Sequence, residues 1–224
     1  MYKIETHLHT NHVSKCGWLD AEHLAKKYHE AGFSGIAVTD HYNVDTWTYK
    51  NADIRTNKRI SEVFLEGVHR MEEACAKYGI VVYTGAELRF YENNNDYLFY
   101  DFDPAMLDDA DDIMHMGIVS FSKMARPQGG LLIQAHPFRN KCVPVAAHLL
   151  DGIEVLNCNP RHNSRNEYAL EYAELNPALL RTAGSDCHRP GDEGVSGILS
   201  ETLPADTKEF AALLRSRKYE LIQG

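Results

Sequence analysis

Short apolar runs alternate with helix-like patterns along most of this chain. Three consecutive β-favouring residues, Val81, Val82 and Tyr83, are typical of a strand buried on both faces of a parallel sheet. Similar apolar runs recur from one end of the chain to the other. The predicted strands cover residues 3–8, 35–39, 80–85, 97–102, 130–135, 152–156, 180–184 and 219–222.

Segments between these runs have the periodicity of amphipathic helices. The first helix begins at Asp20, a residue type that caps helices, and ends before Gly32, a common C-terminal signal. Four acidic residues (108, 109, 111 and 112) are interpreted as the solvated start of a further helix. The predicted helices cover residues 20–31, 57–78, 163–175 and 206–217.

Alternation of strands and helices predicts parallel βαβ units. A chain of 224 residues fits one domain spanning residues 1–224, and seven or eight units in that length favour a small, irregular α/β barrel. An open parallel sheet is the alternative. No internal repeat, low-complexity segment or linker divides the sequence.

Composition narrows the possible partners and the compartment. The formal net charge of −9 makes nucleic acid a poor partner. Five cysteines without a C-x-x-C pair argue against a disulfide framework and for a reducing cytoplasm. The N-terminus lacks a signal-like apolar stretch, and no run approaches the roughly 18 apolar residues of a membrane span. We therefore expect a cytoplasmic protein that does not bind membranes; the sequence does not indicate its oligomeric state.

Two pairs of polar residues follow apolar runs near the two ends of the chain. His7 and His9 form an H-x-H pair, and Asp186 and His188 have the same spacing. Side chains two residues apart in a strand point to the same face, about 7 Å apart, so each pair can grip one ion. Barrel closure would make the first and last strands neighbours.

Three further candidates also stand where an apolar run ends: His41, Glu87 and His136. Since Pro137 follows His136, we expect an extended backbone there. A single strand-end histidine is more often a hydrogen-bonded structural residue than a ligand. Seven such positions together favour a metal site at the carboxyl-terminal rim of a barrel, where a carboxylate such as Glu87 can bridge two cations.

Read in order, these motifs resemble the polymerase-and-histidinol-phosphatase (PHP) superfamily. They are H-x-H (7–9), T-D-H (39–41), G-A-E (85–87), A-H-P (135–137) and G-S-D-x-H (184–188), and the resemblance spans residues 5–188. It implies a distorted (β/α)7 TIM-like barrel that binds two or three divalent ions and hydrolyses phosphoesters. By the same resemblance, the ligands would be His7, His9, Glu87 and Asp186 for one ion, Glu87 and His136 for a second, and His41 and His188 for a third.

Two positions depart from the family's pattern. The family commonly places an Asp or His a few residues after H-x-H, where this chain offers His12 or Cys16; Cys16 is favoured because it immediately precedes Gly17. The family also often places a histidine before the strand that here reads 96–100. Asp96 is the candidate for that role, with His115 as its rival.

The hypothesis that follows is hydrolysis of a small phosphorylated substrate by metal-activated hydroxide attack on phosphorus. Zinc, manganese and iron all suit this ligand set. Asp186 would also orient the nucleophilic water, and His188, His41 or a metal-bound water would protonate the leaving group. Arginines in loops after predicted strands would hold the phosphate: Arg139, Arg161, Arg165 and Arg189.

Two other functions compete with this one. An amidohydrolase-type C–N hydrolase would typically add a lysine ligand at a strand end, and none of the predicted strand ends offers one. A non-catalytic metal-binding module is the second alternative, against which the nearly complete ligand set argues. A nuclease is disfavoured by the acidic charge and by the absence of a basic, aromatic-lined stripe.

Overall fold

Ten strands form one sheet that curls nearly into a barrel in the computed structural model, which describes residues 1–57 and 59–224. Residue 58, part of the predicted helix 57–78, lies outside the described residues. All eight predicted strands are confirmed, with ends shifted by up to three residues. The strands are β1 (Tyr2–Leu8), β2 (Phe33–Val38), β3 (His41–Tyr42), β4 (Val81–Leu88), β5 (Tyr97–Tyr100), β6 (Leu131–Gln134), β7 (Gly152–Asn157), β8 (Leu180–Gly184), β9 (Gly197–Ser200) and β10 (Glu220–Ile222).

The strand order is β10-β9-β1-β2-β4-β5-β6-β7-β8, with β3 paired to β4. A parallel bridge between Leu8 and Cys187 joins β1 to the segment that follows β8, and the amide of His9 donates to the carbonyl of Cys187 over 3.0 Å. The sheet therefore nearly closes on itself. This arrangement confirms the α/β barrel and not the open sheet.

The expectation of uniformly parallel βαβ units is wrong for three strands. β9 pairs antiparallel with β1, β10 pairs antiparallel with β9, and β5 runs antiparallel between β4 and β6. Residues 89–96 join β4 to β5 without a helix. Because β5 is reversed, its first residues lie at the same rim as the last residues of β4. Asp96, just before β5, therefore reaches that rim.

Helices cover the sheet where the sequence predicts them, with one interruption. The predicted helix 57–78 is divided into α3 (Ile60–Phe64) and α4 (Glu66–Ala76), and the first helix is capped as expected by the Asp20 side chain, which accepts from the amide of His23. The remaining helices are α1 (Ala21–Glu30), α2 (Val44–Tyr49), α5 (Ala110–Ala125), α6 (Asn166–Leu175) and α7 (Thr207–Ser216).

No helix in the described part of the chain combines the length and the apolar character that crossing a membrane requires.

One apolar cluster links strands β1, β2, β4, β5, β6, β8 and β9 to α7. The ring of Phe210 stacks on Tyr83 with centroids 4.6 Å apart and meets Tyr100 edge-on at 5.4 Å. All three rings are fully buried. Burial of this cluster favours the curved sheet over a flat one, because side chains from opposite strands can meet only when the sheet curls. The curvature brings the rim ligands together.

Candidate metal centre

Glu87 lies at the centre of a cluster of buried imidazoles. One carboxylate oxygen lies 3.2 Å from Nε2 of His7 and 3.1 Å from Nε2 of His136. The other lies 3.4 Å from Nε2 of His9 and 2.7 Å from Nδ1 of His41. The four histidines come from three separate regions of the chain. Glu87 therefore has the contacts expected of a carboxylate that bridges neighbouring ions.

Asp186 forms the opposite side of this cluster. Its Oδ1 lies 3.5 Å from Nε2 of His7, 3.4 Å from Nε2 of His9 and 3.3 Å from Nδ1 of His188. Its Oδ2 accepts a 2.6 Å hydrogen bond from the Arg139 guanidinium. Oδ1 thus faces the histidines, while Oδ2 is fixed by the Arg139 guanidinium.

The nitrogen and oxygen atoms of the cluster are arranged as ligands of divalent ions. Nδ1 of His41 and the Glu87 oxygen 2.7 Å from it are both buried, and neither makes a hydrogen bond of good geometry within the described part of the chain. Within the described residues, four triads bring ligand atoms within 4.8 Å of one another. Imidazole and carboxylate groups in such triads are the ligands that zinc, manganese and iron accept. The triads are His9–His41–His188, His7–Glu87–His136, His7–His9–Asp186 and His41–Glu87–Asp96.

The protonation states within the cluster are strongly unequal. Burial lowers the pKa of His9, and the neighbouring His188 and His41 lower it further, so His9 is held in the neutral form that binds metal. Burial also acts to lower the pKa of His7, but Asp186 and other carboxylates outweigh it and raise that pKa well above the ordinary value. Without ions, protons on the cluster's histidines compensate the buried carboxylates. Bound cations would replace those protons.

Two buried glutamates that sequence reasoning missed position the ligands. Glu154 in β7 lies 2.9 Å from Nδ1 of His7 and accepts from the amide of His136. Glu5 in β1 accepts from the amides of His7 and Ser185. Glu154 interrupts the largely buried apolar run of β7, and Glu5 lies in the buried part of β1. That was the available signal, because a charged side chain is almost never fully buried without a partner.

A second polar network, built on Asp40 and Ser14, fixes His9 and His41. The carboxylate of Asp40 accepts from the amide and hydroxyl of Thr10, both at 2.7 Å, and from the hydroxyl of Ser14 at 2.6 Å. Oγ of Ser14 in turn accepts from the amide of His41 and lies 3.3 Å from Nδ1 of His9. Outer contacts of this kind select the tautomer and orientation of a ligand.

Two of the candidate ligands have left-handed backbone conformations. The φ angles are +27° at His136 and +49° at Asp186. The expectation that His136 is extended because it precedes Pro137 is therefore wrong. Such conformations are strained for residues other than glycine and persist where surrounding contacts enforce them. Here the hydrogen bond from the His136 amide to Glu154 is one such contact.

Cys16 and His12, the two candidates for the ligand after the H-x-H motif, lie in different surroundings. Cys16 is exposed and lines the same pocket as His41 and His188. Partial burial would raise the pKa of its thiol, but His41 and His188 outweigh this and lower it to about 6. His12 lies apart, with Nε2 accepting from the amide of Ala21. Cys16 is thus nearer the cluster than His12.

Asp96 reaches the cluster and His115 does not. The Asp96 carboxylate lies 3.8 Å from Nε2 of His136 and pairs with Arg89 through two hydrogen bonds of 2.7 and 2.6 Å. His115 is exposed on α5, where its ring contacts Tyr91. Asp96 is the candidate that the fold brings to the ligands, as the reversal of β5 requires.

Three of the four predicted substrate arginines line an open pocket of about 690 Å³ above the cluster: Arg139, Arg161 and Arg189. Arg139 is engaged by Asp186, and Arg161 pairs through both nitrogens with the buried Asp192. Arg165 is not among the residues that line this pocket; it is exposed at the start of α6.

Comparison with known proteins places this chain in a family. The sequence profile of the PHP domain matches residues 5–188. The chain therefore belongs to the PHP domain family, as the motif order predicts. No curated protein matches the sequence.

Solved structures share the fold at low sequence identity. A candidate metal-dependent phosphoesterase from Bifidobacterium adolescentis is 17% identical with a TM-score of 0.56, over 96% of each chain. A two-domain protein from Bacteroides vulgatus containing a predicted PHP-like metal-dependent phosphoesterase is 16% identical with a TM-score of 0.66; the match covers 99% of this chain and 64% of that one. An amidohydrolase from Chromobacterium violaceum, solved with bound sulfate and no metal, is 14% identical with a TM-score of 0.56, over 99% of this chain and 98% of that one.

Proposed function

We propose that this protein is a metal-dependent phosphoesterase that hydrolyses a small phosphate monoester. The observation that carries the proposal is the buried Glu87 carboxylate, each of whose two oxygens has two histidine nitrogens within 3.4 Å. One of these oxygens makes no hydrogen bond of good geometry with any described residue. The family and its structural neighbours support a hydrolase of this class.

The residues that would hold divalent ions are those of the four triads together with Cys16. Zinc, manganese or iron would suit them, in two or three sites. When bound, such ions neutralise charge on phosphoryl oxygens and activate water for attack on phosphorus. The triad residues are His7, His9, His41, Glu87, Asp96, His136, Asp186 and His188.

Asp186 is the residue we propose to orient the attacking water. Its Oδ2 is fixed by the Arg139 guanidinium at 2.6 Å and by the Asn157 amide at 3.2 Å. Its Oδ1 faces the histidines and can accept a proton from a water held there. A carboxylate fixed in this way presents one oxygen in a constant direction, which is what positioning a nucleophile requires.

We propose that His41 and His188 protonate the leaving group when the third ion, which they would otherwise hold, is not bound. Their side chains are 15% and 14% exposed and line the pocket, whereas His7 and His9 are fully buried. Their Nε2 atoms lie 3.5 Å apart. Only a group that faces the pocket can reach the leaving oxygen of a substrate bound there.

The test is hydrolysis of p-nitrophenyl phosphate with added manganese, zinc or iron(II), together with the metal content of the purified protein. We expect turnover and at least two divalent ions per chain. Asp186→Ala should abolish turnover while leaving the far-UV circular dichroism near wild type. A matched control is Asp151→Ala, because Asp151 is also paired with an arginine, Arg126, but lies outside the pocket.

Several results would overturn the proposal. They are turnover that survives Asp186→Ala, full activity in metal-free protein, or hydrolysis of amides in place of phosphate esters. The last result would assign the amidohydrolase chemistry, and metal binding without any turnover would indicate a non-catalytic module.

A further inference from the structure

Trp18 is an exposed indole at the mouth of the catalytic pocket. Its relative exposure is 62%, and it is one of the residues that line the pocket. The chain has two tryptophans, and the other, Trp47, is 3% exposed and packs edge-on against Tyr42. Trp18 therefore contributes little to the core, and its indole is available to a molecule in the pocket.

The backbone around Trp18 fixes it relative to the cluster. Its amide donates a 2.8 Å hydrogen bond to the carbonyl of His188, one of the candidate ligands. Nearby, the amide of Asn11 donates to the carbonyl of Leu19, which closes the loop that carries Trp18. Gly17 is packed so closely that a Cβ atom there would lie 2.6 Å from the carbonyl oxygen of Thr10. Trp18 therefore lies on a tightly packed loop that is hydrogen-bonded to the backbone of the candidate ligand His188.

Arg189 covers part of this indole. Its guanidinium carbon lies 4.2 Å from the centre of the Trp18 ring, a cation–π contact. Among the described residues, no carboxylate pairs with the Arg189 side chain, whereas Arg139 and Arg161 are paired with Asp186 and Asp192. The backbone of Arg189 is fixed, because its amide donates to Asp192 over 2.8 Å.

We propose that Trp18 and Arg189 form a stacking platform for a planar aromatic or heteroaromatic ring in the leaving group of the substrate. The inference rests on the proposed phosphoesterase function and names its substrate class. A flat π-system can stack on the indole or the guanidinium, both of which present planar faces at the pocket mouth. A saturated ring of the same size is puckered and lacks the π-face. The platform therefore selects ring type and not merely bulk.

The kinetic test compares phenyl phosphate with cyclohexyl phosphate. Each variant is compared with wild type on the same substrate, so the different intrinsic reactivities of the two esters cancel. Trp18→Ala should lower kcat/KM for phenyl phosphate roughly ten-fold, as expected for loss of one stacking contact, and change cyclohexyl phosphate less than two-fold. Trp18→Phe should restore most of the difference. Tyr91→Ala is the matched control, because Tyr91 is similarly exposed but is not among the residues that line the pocket.

A binding test is independent of turnover. Phenylphosphonate, cyclohexylphosphonate and inorganic phosphate are titrated while tryptophan fluorescence is recorded. We expect saturable quenching with phenylphosphonate only, and its loss in Trp18→Phe, since Trp47 is buried.

The outcomes separate the platform from the proposed function. Equal effects of Trp18→Ala on the two esters, or no effect on either, would overturn the platform. An inactive protein whose Trp18 is still quenched selectively by phenylphosphonate would overturn the phosphoesterase assignment and retain the ring-binding site. An active protein without selective quenching would retain the phosphoesterase assignment and overturn the ring-binding site.

Discussion

The carboxylate of Glu154 lies 2.9 Å from Nδ1 of His7, and neither side chain has exposed surface. This contact turns Nε2 of His7 toward Glu87 and Asp186. The other oxygen of Glu154 accepts from the amide of His136, 2.9 Å away. One buried carboxylate outside the candidate ligand set therefore orients two members of that set.

We predict that Glu154→Gln lowers metal affinity by roughly 10- to 100-fold, the range typical for loss of an outer contact to a ligand. The amide keeps the shape of the carboxylate but loses the charge that favours the His7 tautomer with a free Nε2. Isothermal titration of the metal-free protein with manganese or zinc measures the change. Glu92→Gln serves as control, because Glu92 accepts from the amide of Ile118 away from the pocket. Unchanged affinity in Glu154→Gln would show that Glu154 only fills space.

Most of the candidate ligands could be proposed from the sequence because they stand where an apolar run ends. Strands of one sheet bring such positions to a common rim, so His7, Glu87 and His136 could be grouped without coordinates. Asp96 is different, because it precedes its strand and was proposed only from the family resemblance. It reaches the rim only because β5 is antiparallel, a reversal that the apolar pattern of a short buried strand does not encode.

The outer contacts were not predictable in the same way. Glu154, Glu5 and Asp40 act through hydrogen bonds to residues from 2 to 180 positions away along the chain. A local pattern gives no such pairing. The arginines show the same limit: four were equivalent in the sequence, but the fold assigns Arg139 to Asp186 and Arg161 to Asp192, and leaves Arg165 outside the pocket.

Gly67→Ala should destabilise the protein, although glycine to alanine in a helix ordinarily stabilises it by up to about 1 kcal/mol. Gly67 is the second residue of α4, where a Cβ atom would overlap the Asp40 carboxylate and lie 2.7 Å from Oγ1 of Thr10. Displacing Asp40 would disturb Ser14 and, through it, His9 and His41. We expect a net loss of about 1–3 kcal/mol, typical of overpacking, together with weaker metal binding.

Urea unfolding of the metal-free and metal-loaded forms measures the effect of Gly67→Ala. Glu72→Ala is the control, because Glu72 is an exposed residue of the same helix. A stabilised Gly67→Ala protein with wild-type metal affinity would contradict the close approach of α4 to Asp40.

Removal of metal by a chelator should lower the melting temperature. A ligand at 100 times its dissociation constant stabilises the folded state by about 2.7 kcal/mol. For a chain of this size, each kcal/mol corresponds to a shift of about 2–4 °C, so we expect a decrease of roughly 5–10 °C. Addition of manganese or zinc should restore the original value. Scanning calorimetry with and without chelator measures the change.

The effect of the chelator should grow as pH rises from about 6.5 to 9. In the metal-free protein, burial acts to lower the pKa of His136 and His188, but hydrogen bonds to Cys142 and Glu87 raise the first to about 9, and Asp186 raises the second to about 10. These folded-state values exceed the ordinary value of about 6.5. The stabilisation from protonation is therefore fully present below pH 6.5 and is lost as pH rises through 9 to 10. Metal binds the deprotonated ligands and so replaces that loss. If the difference in melting temperature between the metal-loaded and the chelator-treated protein stays constant or narrows as pH rises, this linkage is contradicted.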